Sequence, residues 1–371
     1  MSAARTGLRM AAAFVAAAGL LGGLPAFAQV TPAAGYTPPD DTPAIKVGAT
    51  IFTDYTYTDE PTTTDADGNT IHPASFNIGR AYVNITGNVS HRIAFRITPD
   101  ISRLTTTGGS TTSLDGSLVI RLKYAYGQFN LDEAWGKGSW VRLGQHQTPW
   151  VNFMEDVYRY RFQGTIFADR EGFLSSSDVG LSAHYNLPGN YGDVHVGYYN
   201  GDTYTKAEAN DQKAIQGRVS FRPLPMAGVL KGLRITAFYD DDHYVKSDVR
   251  TRLLYAATFE HKYVNAGVEH LDTDDQTTAV ATEVKGTGYS IWATPKFPKG
   301  WEALLRLDHL KPNKDVDAAK DRKILGVAYW FKVLQGPVSA AILLDYENVS
   351  YDAALAKPDE TRYAVHTLFN F

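Results

Sequence analysis

Cysteine is absent from the 371 residues, which excludes a disulfide scaffold and any thiolate metal site. Long apolar runs are nearly absent too. The one uncharged apolar stretch, Ala11 to Leu24, falls short of the ~20 residues that a spanning helix needs and contains three glycines. No G-x-x-x-x-G-K element and no basic amphipathic helix is present, so nothing points to nucleotide or nucleic acid. Charge of one sign is also scarce: 36 basic residues face 40 acidic ones, a net of −4.

What is present begins with a leader. Arg5 and Arg9 precede the apolar stretch, and Ala26-Phe27-Ala28 has the small-x-small spacing cut by signal peptidase. Residues 1–28 are therefore expected to be a cleaved signal peptide, and loss of the two arginines brings the remainder to −6. Residues 29–43 (QVTPAAGYTPPDDTP) are proline-rich and aperiodic, the composition of a short flexible lead-in.

From Ala44 to Phe371 the chain is a succession of period-two segments separated by turn-forming residues. Leu233, Ile235, Ala237 and Tyr239 alternate with Arg234, Thr236 and Asp240. Leu118, Ile120, Leu122, Tyr124 and Tyr126 alternate with Val119, Arg121, Lys123, Ala125 and Gly127. The segments reach ~10 residues, the length of a tilted strand crossing a bilayer and longer than the usual soluble strand. About sixteen are expected: 44–57, 74–88, 90–102, 117–130, 139–147, 178–187, 191–200, 213–222, 230–241, 250–261, 263–271, 286–297, 300–310, 322–334, 338–349 and 361–371. Their connections alternate long and short without exception, as in bacterial barrels with short periplasmic turns and long extracellular loops. The expected fold is all-β: a transmembrane antiparallel β-barrel with its third long loop folded into the lumen. The last segment alternates Tyr363, Val365, Thr367, Phe369 and Phe371, and this terminal pattern resembles the assembly signal read by the barrel assembly machinery, with Phe371 as its key residue.

A cation facing lipid at mid-membrane costs about 2–4 kcal/mol, so charged positions assign the inward face. The early inward set is Arg80, Arg92, Arg96, Arg121, Lys123 and Arg142; later strands add Arg218, Arg222, Arg234, Arg252 and Arg306, with Asp240, Glu260, Asp308, Asp345 and Glu347 as the inward acids. The connection from Thr148 to Ser177 interleaves seven aromatic residues with Glu155, Asp156, Arg159, Arg161, Asp169, Arg170 and Glu171. A loop this apolar would not stay in water. Folded inward, its acids are expected to face the early-strand cations across a constriction, with the loop arginines tipping the balance toward anions.

The stretch RLGQHQTPWVNFMEDVYRYRFQGTIFADREGFLSSSDVGLSAHYNLP resembles the phosphate-selective porin O and P family in Arg142, Gly144, Pro149, Phe167, Arg170, Asp178 and Gly180. Asn77 to Asp100 is similar to that family's early hairpin, with Arg80 and the closing Asp100. The resemblance spans about a third of the chain. It implies a homotrimeric water-filled porin in a Gram-negative outer membrane, among lipid and lipopolysaccharide, passing small hydrophilic solutes with weak anion preference. Phosphate stays open, since no lysine-rich pore segment is present. No cofactor and no metal are implied.

Competing constellations are weaker. Ser175, Ser176, Ser177, Asp178 and His184 lie close in sequence, but no G-x-S-x-G turn accompanies them, so a hydrolase is not expected. Asp65-Ala66-Asp67-Gly68-Asn69 lacks the ligand series of a calcium loop and reads as a solvated turn. Asp240 to His243 and Asp272 to Asp275 read as acidic loop clusters, with divalent cations bridging lipopolysaccharide as the alternative use. The second class of function is a structural or adhesive barrel with a closed lumen.

Overall fold

A computed structural model describes residues 41, 43–104, 116–208, 210–246, 248–332 and 339–371. The expected signal peptide and nearly all of the lead-in lie outside the described residues.

Alternation produces sixteen long strands. They are β1 (Ala44–Glu60), β2 (Ala74–Asn88), β3 (Ile93–Arg103), β4 (Leu118–Asn130), β5 (Trp140–Gln147), β6 (Ser177–Leu187), β7 (Gly192–Tyr199), β8 (Ala214–Phe221), β9 (Leu233–Asp242), β10 (Arg250–His261), β11 (Val264–Asp275), β12 (Val284–Pro295), β13 (Trp301–Lys311), β14 (Lys320–Trp330), β15 (Ser339–Tyr351) and β16 (Glu360–Asn370). Each pairs antiparallel with its chain neighbours, and β16 returns to β1 to close the barrel. The seam ends on a reciprocal backbone pair: Ala49 N–H donates to Phe371 O at 2.8 Å and Phe371 N–H to Ala49 O at 3.0 Å. Closure leaves no strand edge unpaired, as a spanning sheet requires.

The barrel is apolar outside and charged within. Outward side chains such as Ile120 (73% exposed) and Leu344 (61%) are bare, while Arg218, Arg234, Arg252 and Arg306 are each only 2% exposed. This surface suits lipid rather than water. Outward aromatics gather at both ends. Tyr191 with Phe221, and Trp301 with Tyr329 and Phe331, lie at the short-turn end; Tyr55 with Phe76, and Tyr346 with Tyr363, lie at the long-loop end. Paired girdles of this kind mark the two membrane interfaces.

Two local departures from expectation have clear causes. Simple alternation with the inward Arg121 and Lys123 puts Tyr124 on the outward face with Leu122, yet Tyr124 is only 4% exposed and points inward. Between β3 and β4, Thr98 pairs Tyr124 whereas Pro99 pairs Leu122, so Lys123 is an extra residue. Pro99 has no N–H to give the ladder, and a bulge there shifts the parity of β4 by one. Second, β11 runs through Asp275 and β12 starts at Val284, so Asp272 to Asp275 extend a strand instead of forming a loop. Asp240 to Asp242 likewise belong to β9. The Asp65 turn matches its reading: Asp65 Oδ1 accepts the N–H groups of Asp67 and Asn69, each at 2.9 Å, and Gly68 takes φ +82°.

Among the described residues, short α-helices occupy two connections: α1 (Asp132–Trp135) between β4 and β5, and α2 (Val151–Tyr158) with α3 (Phe167–Arg170) between β5 and β6.

Candidate functional site: a half-sealed lumen

The β5–β6 connection forms the site. Its aromatics need cover, and the barrel supplies it through an inward apolar stripe: Phe238, Leu254, Leu271, Trp292, Leu304, Ile324 and Leu343, one from each strand β9 to β15. Trp150, Val151, Met154, Val157, Tyr158, Tyr160 and Phe167, all 0–1% exposed, pack against it. Trp150 meets Phe238 at 5.6 Å, and Tyr158 meets Trp292 edge-on at 5.2 Å. Burying each such side chain stabilises the loop by about 1.5–3 kcal/mol.

Charge pairing fixes the remainder of the loop to the same half of the wall. Gln163 Nε2 donates to Asp345 and Glu347, both at 3.0 Å, and Arg170 reaches Glu347 at 3.5 Å. Glu171 receives Lys320 at 2.7 Å and Arg322 at 3.3 Å, while Arg322 also pairs with Glu347. Arg306 pairs with Asp308 at 2.8 Å and donates to Thr165 O at 2.8 Å. Arg159 and Tyr160 both bond Glu302, at 3.3 and 3.0 Å. Gly164 leaves room for the Arg170 guanidinium, which would lie 1.6 Å from a Cβ there and would have to move aside.

The opposite wall stays open. From the loop end downward, Arg80 and Arg121 share the buried Asp100 at 2.9 and 3.0 Å. Next comes Lys123, whose Nζ donates to Tyr82 OH at 3.3 Å and lies 4.8 Å from that ring. Arg96 sits over Tyr124 at 4.4 Å, bonding Asn84 at 2.7 Å and Thr98 at 2.9 Å. Arg142 stacks on Trp140 at 3.7 Å and donates to Gln128 at 2.7 Å. Rings and amides orient these last three cations, and no carboxylate lies in ion-pair range of them among the described residues. Their charge is therefore left for the lumen.

Between loop and wall lie two adjoining cavities. A cavity of about 350 Å³ is bounded by Arg96, Lys123 and Tyr124 on one side and by Glu155, Asp156 and Arg161 on the other. Through Thr50, Glu155, Asp156 and Arg161 it adjoins a second of about 390 Å³, toward Trp330 and Asn370. Glu155 and Arg161 pair at 2.7 Å. Asp156 has no such partner among the described residues. Asp156 is exposed to the lumen, and enclosure of that space by the barrel, then the carboxylates of Glu155 and Glu260, push its carboxyl up to about 7, against Arg234 and Arg96. Burial and Glu155 raise Asp169 to about 6.

The geometry corrects four assignments. Arg92 sits on the short-turn rim, 65% exposed in its side chain and paired with Glu133 at 2.7 Å, because the strand turns there before its inward parity can count. Glu171 faces Lys320 and Arg322 on β14 instead of the early strands, and Arg170, expected to add to the anion-attracting charge, is held by Glu347 on β15. Arg159 lines the lower cavity, but Glu302 holds its charge. Arg80, Arg96, Arg121, Lys123, Arg142, Glu155, Asp156 and Arg161 do gather on the open side, and Asp169 lies within their field. The later arginines and acids are inward as expected, Asp240, Glu260, Asp308, Asp345 and Glu347 being 2–9% exposed. Asp100 was singled out only through the family resemblance and not as an inward acid; Glu302 and the apolar stripe were missed. The stripe had a sequence signal: large apolar residues at polar-parity positions, such as Leu271 between Glu269 and Thr273.

The residues behind the family resemblance have structural work to do. Gly144 takes φ +118°, and a Cβ on Gly180 would lie 2.2 Å from Tyr198 O. Asp178 accepts the N–H groups of Val179 and Gly201 at 2.7 and 2.8 Å. Ser177 Oγ donates to Lys123 O at 2.7 Å, and His184 meets Asp193 at 3.1 Å, so these two do not converge on one another.

No family model matches the chain, and no curated protein matches it. Solved structures do. An anion-selective porin from Comamonas acidovorans aligns over 89% of this chain and 100% of its own at 14% identity and TM-score 0.59. The outer-membrane channel DcaP of Acinetobacter baumannii aligns over 91% and 100% at 13% identity and TM-score 0.55. The trimer form of OmpT, an outer-membrane protein of Vibrio cholerae, aligns over 89% and 100% at 12% identity and TM-score 0.57. The chain has the fold of these outer-membrane proteins. At such identities, the likeness covers the path of the backbone and leaves selectivity to the chain's own residues.

Proposed function

We propose that this protein is a diffusion porin of a Gram-negative outer membrane that passes small hydrophilic solutes with a weak preference for anions. The observation that carries the reading is the asymmetry of the lumen: the folded loop covers one half and leaves, on the other, a cavity of about 350 Å³ lined by Arg96 and Lys123, two cations held by rings, amides and hydroxyls instead of carboxylates. Fixed charge at the narrowest zone of a confined channel sets the sign of the permeating ion. The porin-like fold and the anion-selective description of the Comamonas acidovorans structure support it. Residues 1–28 would direct export, Phe371 at the seam would serve assembly, and three copies would associate amid lipopolysaccharide. The test is insertion of purified folded protein into a planar bilayer. Steady ohmic channels are expected. A folded barrel without conductance would favour the closed structural reading.

A further inference from the structure

The passage carries opposite charges on its two sides, and cancelling the pairs shows which remain. On the loop, Arg161 and Glu155 neutralise one another at 2.7 Å. On the wall, Arg96 is held by Asn84, Thr98 and the Tyr124 ring, and Lys123 by Tyr82. None of these partners carries negative charge. Asp156, the other loop acid on this cavity, has no cation in ion-pair range among the described residues. Two positive charges therefore face one negative charge across about 350 Å³. That volume sits at the small end of ligand sites, which span ~300–1,000 Å³.

We propose that the passage favours small zwitterions of amino-acid type, the solute's carboxylate running along Arg96 and Lys123 while its ammonium faces Asp156. The inference rests on the porin reading above and adds a substrate class to it. A compact anion gains from the wall but is opposed by Asp156. A cation meets the reverse, and a neutral solute gains from neither. Only a solute carrying both charges is attracted on both sides, because fixed charges in a confined passage orient a dipole. Amides at Asn84 and Asn152 line the same cavity and can bond either end.

Asp156 also gives the preference a pH dependence. Enclosure by the barrel, then Glu155 on the loop and Glu260 on β10, push its carboxyl up to about 7; Arg234 on β9 and Arg96 on β3 oppose the rise, and Lys123 on β4 faces it across the cavity. Above that value the passage is dipolar; below it only the positive side remains.

The experiment is uptake of labelled alanine, lactate and glycerol into liposomes holding the full mature protein, at about pH 8 and about pH 5.5, on either side of the Asp156 value of about 7. At the higher pH, Asp156→Asn should lower alanine flux relative to glycerol about two- to fivefold, the worth of one solvent-exposed ion pair, and raise lactate flux. Acidification of the wild type should do the same, and Lys123→Gln should lower both alanine and lactate. An alanine-to-glycerol ratio indifferent to both Asp156→Asn and acidification overturns the zwitterion inference alone. Absence of glycerol uptake overturns the porin reading instead.

Discussion

On β13 to β15 an inward arginine meets carboxylates: Arg306 lies against Asp308, and Arg322 against Glu347 and Glu171. On β3 to β5 the inward cations Arg96, Lys123 and Arg142 meet tyrosine, tryptophan and amide groups. The residue types are the same and the facing direction is the same. What differs is whether an acid is at hand. Paired cations become part of a sealed interface in which neither partner can leave without stranding the other. Ring-held cations keep their orientation and their charge, since stacking on an aromatic face leaves the charge uncompensated. One wall thus holds the loop, and the other confronts the solute.

If that division is real, substitutions on the two walls should separate stability from selectivity. The largest loss is expected for Arg322→Met, which takes from Glu171 and Glu347 the cation they share and leaves each with a single cation, Lys320 and Arg170 respectively. Breaking one side of a buried pair costs about 3–5 kcal/mol, and the retained cations place this loss toward the lower end of that range. The unfolding midpoint in detergent should fall accordingly, with the sign of ion selectivity unchanged; an unaltered midpoint would show the network to be idle. Leu271→Ala probes the stripe beneath the loop. A fully buried leucine cut to alanine costs about 2–5 kcal/mol, and a loosened loop should raise single-channel conductance and its noise. Identical conductance traces would mean that the loop does not depend on the stripe.

Much of this was legible in the sequence, and the part that was not has a physical cause. Parity needs only local alternation, so the sixteen strands and the faces of Arg218, Arg234, Arg306 and Asp308 follow from the residues alone. Partnership across the lumen does not. Glu171 sits beside Arg170 in the chain, yet the two turn to different strands, Glu171 to β14 and Arg170 to β15, because those strands hold their complements. The inward turn of Tyr124 depends on a bulge set by Pro99, a residue on the neighbouring strand. The stripe from Phe238 to Leu343 was written at polar positions of seven separate strands and becomes a surface only when the barrel closes.

The smallest effect sharpens the comparison within the open wall. Arg121 shares Asp100 with Arg80, so Arg121→Gln leaves that carboxylate with one cation still in place. Lys123→Gln removes a charge that no carboxylate pairs at close range. Reversal potentials should shift less for Arg121→Gln than for Lys123→Gln, and equal shifts would show that pairing does not govern the field.

The most direct test of the central claim is the reversal potential across a bilayer under a salt gradient, for wild type and for the double variant Arg96→Glu with Lys123→Glu. The wild type should show a weak anion preference, and the double variant a cation preference, with conductance retained because neither residue anchors the loop. The same selectivity in both proteins would contradict the account, leaving the two cations as mere solvators of a lumen whose field is set elsewhere.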